Sequence, residues 1–139
     1  MIDANRLAVL FDAAAGARAR AYAPYSDFAV GAAALGSAGG VFAGCNVENA
    51  AYPVGTCAEA AALSAMVVGG ETRLSAILVL GGGERLCTPC GACRQRIREF
   101  AGPDAEIIVA GPESVRRRFT LEELLPESFG PETLADARP

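Results

Sequence analysis

The chain contains no histidine and no lysine; all of its basic residues are arginine. Without histidine the most versatile general base and the commonest metal ligand are gone. A Ser-His-Asp or Cys-His triad is therefore impossible, and any hydrolytic chemistry falls to cysteines and acids. Long apolar runs are missing too. None approaches the ~18 residues that mark a membrane-spanning helix, so no membrane contact is expected. The N-terminus, Met1-Ile2-Asp3-Ala4-Asn5-Arg6, lacks the basic start and apolar core of an export signal, which predicts a cytoplasmic protein. Nor is there an excess of positive charge: the net charge is −4. Nucleic-acid binders carry a basic footprint, so a small, roughly neutral ligand is expected rather than a polymer. The acidic balance also disfavours phosphorylated substrates. The local run Arg116-Arg117-Arg118 reads as a solvated strand or loop.

What is present suits a packed core. A chain of 139 residues, 52% hydrophobic and 20% charged, fits one domain over residues 1–139. Leu7, Leu10, Phe11 and Ala14 recur at spacings of three and four, predicting an amphipathic helix over 3–21. Strands are predicted over Phe28–Leu35 and Val41–Val47, joined by the glycine-rich turn 36–40. A helix follows from Cys57 to Val68, with Thr56 as its N-cap and Gly69-Gly70 as its stop. Ser75–Leu80 and Ile107–Val109 read as buried strands. Between them Pro89-Cys90 opens a helix that runs to Phe100. A short strand over Val115–Phe119 and a helical turn over Leu121–Leu125 come last. The order predicts an α/β fold: an antiparallel hairpin first, then parallel crossovers. Ligands of such sheets sit at the C-terminal ends of parallel strands, near helix N-termini.

Two cysteine segments lie at predicted helix N-termini: Thr56-Cys57-Ala58-Glu59 and Pro89-Cys90-Gly91-Ala92-Cys93-Arg94-Gln95. Five cysteines in a chain without an export signal point to metal or reactivity rather than disulfides. The C-x-x-C pair Cys90 and Cys93 presents both sulfurs on one helical face, and Cys57 can be a third ligand. Three protein ligands leave a fourth position for water, which is the catalytic zinc arrangement. Three thiolates on Zn²⁺ leave a charge of −1 that weakens the ion as a Lewis acid. Two helix N-termini, and Arg94 through hydrogen bonds to sulfur, would offset it. Glu59, two residues past Cys57, is expected to shuttle protons without binding the metal. Cys87 extends the run to C-x-x-C-x-x-C, which also admits iron–sulfur ligation or a closed four-cysteine zinc module. Cys87 is read as a spare thiol and Cys45 as a small buried hydrophobe. Gly81-Gly82-Gly83 lacks the spacing and lysine of a phosphate loop.

Beyond the metal residues the chain resembles the cytidine deaminases, in their small homotetrameric branch. The resemblance is carried by Tyr25-Ser26-Asp27-Phe28-Ala29-Val30-Gly31-Ala32-Ala33, Asn46-Val47-Glu48-Asn49-Ala50-Ala51-Tyr52, Cys57-Ala58-Glu59, Pro89-Cys90-Gly91-Ala92-Cys93-Arg94-Gln95 and Leu124-Leu125-Pro126-Glu127-Ser128-Phe129. It spans roughly residues 22 to 130. It implies a three-layer α/β/α fold with a mixed five-stranded sheet, and one Zn²⁺ per subunit on Cys57, Cys90 and Cys93. Glu59 matches the proton shuttle, Phe28 the aromatic that packs on the pyrimidine ring, and Asn46 and Glu48 the pair that binds the ribose 3′-hydroxyl. Ala50, Tyr52 and Phe129 match residues that reach a neighbouring subunit's site. The implied reaction is hydrolysis of cytidine and deoxycytidine to uridine and deoxyuridine plus ammonia, by attack of zinc-bound hydroxide at C4, in pyrimidine salvage. A related deaminase of another aminopyrimidine nucleoside, such as blasticidin S, would carry the same C-A-E and P-C-x-x-C-R-Q segments. One departure stands out: Ala60 occupies the position where many tetrameric relatives carry arginine. The thiolate charge is then left to Arg94 and the helix dipoles.

Overall fold

A computed structural model describes residues 1–137. Asp3 caps α1 (Ala4–Arg18) by accepting from the Arg6 backbone N–H at 2.8 Å, satisfying one of the free donors of the first turn. β1 (Val30–Gly36) and β2 (Val41–Cys45) form an antiparallel hairpin. Glu71 braces its turn by accepting from the backbone N–H groups of Ala38 and Gly40. α2 (Ala58–Val68), β3 (Leu74–Gly81), α3 (Gly91–Phe100), β4 (Glu106–Ala110) and β5 (Val115–Thr120) follow. Two short helices end the described chain: α4 (Leu121–Leu124), opened by a reciprocal Thr120–Glu123 capping box, and α5 (Pro131–Asp136).

The five strands make one sheet in the order β2-β1-β3-β4-β5. β3 and β4 are parallel, and every other pairing is antiparallel. β2 and β3, on either side of β1, run in the same direction, so the connections through α2 and α3 are the expected parallel crossovers; β5 instead returns antiparallel to β4. Only residues 111–114 separate it from β4, and a parallel return needs about a dozen residues or more.

The sheet has a helical layer on each side. On one face α1 sets Leu10 and Ala14 against Ala33, Leu35, Ala76, Leu78, Leu80 and Ile108. On the other, α2 and α3 bring Ala58, Ala62, Leu63, Met66 and Ile97 onto Ala32, Ala34, Ile77 and Ile107. Successive strand residues alternate between the two clusters, as the two-residue period of a strand requires. β3, at the centre, is buried at every position but Ser75, which explains the apolar run from Ala76 onward. Two glycines permit the close packing. A Cβ on Gly31 would strike the Ala14 carbonyl of α1, and one on Gly44 the Ala58 and Ala62 backbone of α2. At the outer edge, β5 carries its three arginines. Arg118 pairs with Glu106, Arg116 with Glu113, and Arg117 lies over the Phe119 ring. Such charge blunts an edge strand against further pairing.

Register fixes where the site segments meet. Gly31 of β1 pairs with both Cys45 of β2 and Leu80 of β3. The segment entering β1, the segment leaving β2 and the segment leaving β3 therefore share one edge of the sheet. These segments hold Phe28, Asn46 to Glu48, and the loop to Cys90.

Candidate active site

The two cysteine segments are helix entrances. Cys57 is the N-cap of α2, one residue later than the Thr56 expected, and Cys90 is the N-cap of α3, both in extended backbone. Cys93 follows in the first turn of α3. The Sγ atoms of Cys57, Cys90 and Cys93 all lie within 4.8 Å of one another. Tetrahedral zinc–thiolate bonds of about 2.3 Å place sulfurs about 3.8 Å apart, so a small contraction closes the three onto one ion. Among the described residues this is the one cluster able to hold a metal, and it leaves Cys45 and Cys87 outside. A closed four-cysteine module and an iron–sulfur run through Cys87 lose their geometric basis. Three soft sulfur donors with no histidine or carboxylate among them suit zinc.

The thiols are unequal. Cys93 is fully buried, and burial, followed by repulsion from Glu59 and Cys57, pushes its thiol far above the ordinary value. Burial also raises Cys57. Cys90 is exposed. Its residual burial acts upward, but the Cys93 backbone N–H and the Cys93 and Cys57 thiols outweigh it and bring Cys90 below the ordinary value. A cation would relieve the penalty on the two raised thiols.

Glu59, in the first turn of α2, is the one buried charged residue among those described, at 5% exposure. Burial raises its carboxyl pKa, against its own backbone N–H, the Cys93 thiol and the charge of Arg96. A buried carboxyl beside a metal position is a group able both to hold and to release a proton.

The flanking loops are pinned by main-chain bonds. Val47 exchanges two hydrogen bonds with Thr56 at 2.9 Å, and Tyr22 bonds to the residues on either side of Val47. This holds the segment Asn46–Glu48 just ahead of Cys57. The Asn46 side chain accepts from the Val30 N–H and donates to the Phe28 carbonyl, both at 2.8 Å, so it fixes the backbone that carries Phe28. Glu48 Oε1 accepts from the Tyr25 and Ser26 N–H groups at 2.9 and 3.1 Å. Ser26, followed by these backbone donors, holds the Glu48 carboxyl below its usual range. Glu48 and Tyr52 line a cavity of about 360 Å³ with Tyr25, Ser26, Asn49 and Gly55. The Tyr25 and Tyr52 rings meet edge to face at 5.8 Å. Ala50 is exposed on the loop ahead of Tyr52. Phe129 lies elsewhere, its carbonyl bonded by Gln95 Nε2 of α3 at 3.0 Å.

Arg94 requires a correction. Its guanidinium does not serve the sulfurs. It donates to the Pro89 carbonyl at 2.8 Å, the Leu124 carbonyl at 2.7 Å and Thr88 Oγ1 at 3.3 Å, tying the metal loop to the C-terminal segment. The arginine that reaches a ligand is Arg96, whose Nη1 donates to Cys93 Sγ at 3.8 Å. Its position three residues past Cys93, on the same helical face, was the available signal.

Comparison with known proteins agrees with this geometry. Residues 5–110 match the family model described as the cytidine and deoxycytidylate deaminase zinc-binding region. A cytidine deaminase of Mycobacterium tuberculosis is 44% identical over 122 residues, 88% of each chain. One from Sporosarcina psychrophila is 40% identical over 121 residues, 87% of this chain and 89% of that one. Among solved structures, cytidine deaminase from Burkholderia pseudomallei superposes with a TM-score of 0.82 at 42% identity, covering 88% of this chain and 98% of that one. The structure of the Mycobacterium tuberculosis enzyme gives 0.76 at 42% identity, with 94% and 99% covered. With three thiols converging at two helix entrances, a buried acid beside them and relatives of this closeness, the chain belongs to the zinc-dependent cytidine deaminase family.

Proposed function

We propose that this protein hydrolyses the C4 amino group of cytidine and deoxycytidine, giving uridine or deoxyuridine and ammonia, as a cytoplasmic enzyme of pyrimidine salvage. The observation that carries the reading is the convergence of the Cys57, Cys90 and Cys93 sulfurs within 4.8 Å, with buried Glu59 on the same helix entrance as Cys57. Zinc held by these sulfurs would supply the Lewis acidity that makes water a nucleophile near neutral pH.

Glu59 carries the protons. It takes one from the attacking water and delivers it to ring N3, then takes the second from the hydroxyl now on C4 and supplies it to the amine. The C4–N bond then breaks with its electrons going to nitrogen, which leaves as ammonia, and C4 keeps the oxygen of water. Its raised pKa and water-poor surroundings favour this exchange.

Phe28 packs on the pyrimidine ring, and Asn46 with Glu48 takes the ribose 3′-hydroxyl. Hydrogen-bonding capacity supports this: the Asn46 amide keeps one N–H beyond its bond to Phe28, and the Glu48 carboxylate has acceptor capacity beyond the two backbone bonds at Oε1. A site built to bind that hydroxyl rejects substrates without it. Ala50, Tyr52 and Phe129 complete a neighbouring subunit's site in a homotetramer, a reading supported by their exposure and by the large apolar surface of Tyr52 and Phe129.

The test is ultraviolet absorbance of cytidine with purified protein, read beside ammonia release. One ammonia per cytidine lost, with free cytosine turned over far more slowly, is expected. Ammonia from another aminopyrimidine nucleoside but none from cytidine or deoxycytidine would replace the substrate and leave the metal chemistry standing.

A further inference from the structure

Charge at the metal position needs a partner that the catalytic reading does not supply. Three thiolates around a divalent cation leave one net negative charge, and Cys93, which carries part of it, is fully buried. The helix entrances of α2 and α3 offer partial positive charge. Arg94 makes no hydrogen bond to the sulfurs; its guanidinium bonds to carbonyls and to Thr88. Arg96 is placed differently. Long side chains on a helix lean back toward the preceding turn, and Arg96 leans back onto Cys93, with Nη1 at 3.8 Å from Sγ. It forms no ion pair with a carboxylate among the described residues. The groove it lines is shared with Ala60, Leu63, Ser64 and Val67 of α2 and with Glu99 and Phe100 of α3. Ala60, the residue after Glu59, presents only a methyl group to that groove. A long side chain there would enter the space that Arg96 uses.

We propose that Arg96 is the positioning residue that offsets the thiolate charge of the zinc site, reaching Cys93 from α3 across the room left by Ala60. The inference rests on the zinc site described above and adds the group that stabilises it. A guanidinium held 3.8 Å from Cys93 Sγ would offset the net negative charge of a three-thiolate zinc site. Groups that orient and polarise metal ligands typically change metal affinity about 10-fold to 100-fold when removed. The arrangement also makes residues 60 and 96 interchangeable as the source of charge, since both line the same groove.

The experiment compares wild type, Arg96→Gln, Arg96→Lys and the double variant Ala60→Arg/Arg96→Gln. Zinc affinity is read by competition with a chromophoric chelator at fixed pH, and the melting temperature of each metal-free protein is read beside it. Arg96→Gln is expected to weaken zinc binding about 10-fold or more, with Arg96→Lys recovering part of the loss and Ala60→Arg/Arg96→Gln most of it. The metal-free melting temperatures should stay together, because Arg96 is exposed. Zinc affinity unchanged in Arg96→Gln would overturn the proposal. So would a loss that neither cationic variant recovers and that follows the metal-free melting temperature, since that pattern belongs to a packing contact. Failure of the wild type to bind zinc would overturn the metal site first and this inference with it.

Discussion

The metal pocket and the aromatic residues around it are built in opposite ways. In the pocket every main group comes from a helix entrance, and the decisive ones are out of water: Cys93 is fully buried and Glu59 is 5% exposed. Nothing from outside the chain is needed to bring the three sulfurs together. The aromatic side chains are left in the open. Phe28 is 42% exposed, Tyr25 51%, Phe129 56% and Tyr52 75%. Tyr52 stacks edge-on to Tyr25, and Phe129 is held through its carbonyl rather than its ring. The metal ligands and the buried acid are thus gathered within one chain, while the large aromatic surfaces stand open. Perturbing the pocket should abolish turnover; perturbing the aromatic surface should change binding and assembly and leave the metal in place.

The largest expected effect is Glu59→Gln. Removing the proton carrier should cut kcat by about 10³-fold or more, since general acid–base catalysis contributes about 10²–10⁴ per role. Zinc content should not change, as metal analysis would show. Turnover near wild type would take Glu59 out of the chemistry. Next comes Tyr52→Ala or Phe129→Ala. Loss of a large aromatic anchor at an interface costs about 2 kcal/mol or more, so weaker assembly by sedimentation and a fall of roughly 30-fold in kcat/KM are expected, with zinc retained. A monomeric wild type of full activity would erase the distinction between the two regions. Arg94→Ala should leave the sulfurs in place but free the C-terminal segment, costing about 1.5–3 kcal/mol for hydrogen bonds from a charged group. Thermal unfolding together with proteolysis beyond α3 would measure it. The smallest effect is at Glu48, whose folded pKa lies below the ordinary value of 4.5. A depressed carboxyl contributes stability that is complete above its unfolded pKa and is lost as pH falls through the folded one. The stability gap between wild type and Glu48→Gln should therefore be constant near neutrality and narrow below about pH 4.5. Parallel stability curves down through that range would remove the contribution.

What could be read from the sequence follows from distance along the chain. Cys57 and Glu59, and Cys90 and Cys93, each lie within one helical turn, so their spacing alone announces a shared face. Leu10 and Ala14 announce the inner face of α1 in the same way. Contacts made across the fold were less legible. The assignment of sulfur contacts to Arg94 rested on sequence adjacency, but residues one apart on a helix point in different directions. Arg94 turns to Leu124, and Arg96, three residues past Cys93, reaches its sulfur. The paired bonds of Asn46 to Phe28 and Val30 depend on the register of the β1–β2 hairpin, which the predicted turn alone does not give. The antiparallel return of β5 is legible in the four residues 111–114, too few for a crossover. α5 went unread because its helix is six residues long and lacks a buried face. It is held instead by side chains of α3, Arg98 bonding to Ser128 and pairing with Glu132.

The most direct test of the central claim is cytidine turnover before zinc removal, after chelation, and after zinc is restored. Three sulfurs and one buried acid in a single chain predict full activity, then essentially none, then recovery at one zinc per chain. Turnover that survives complete zinc removal would contradict the account, because this chain has no histidine and no second metal cluster among its described residues to carry the reaction.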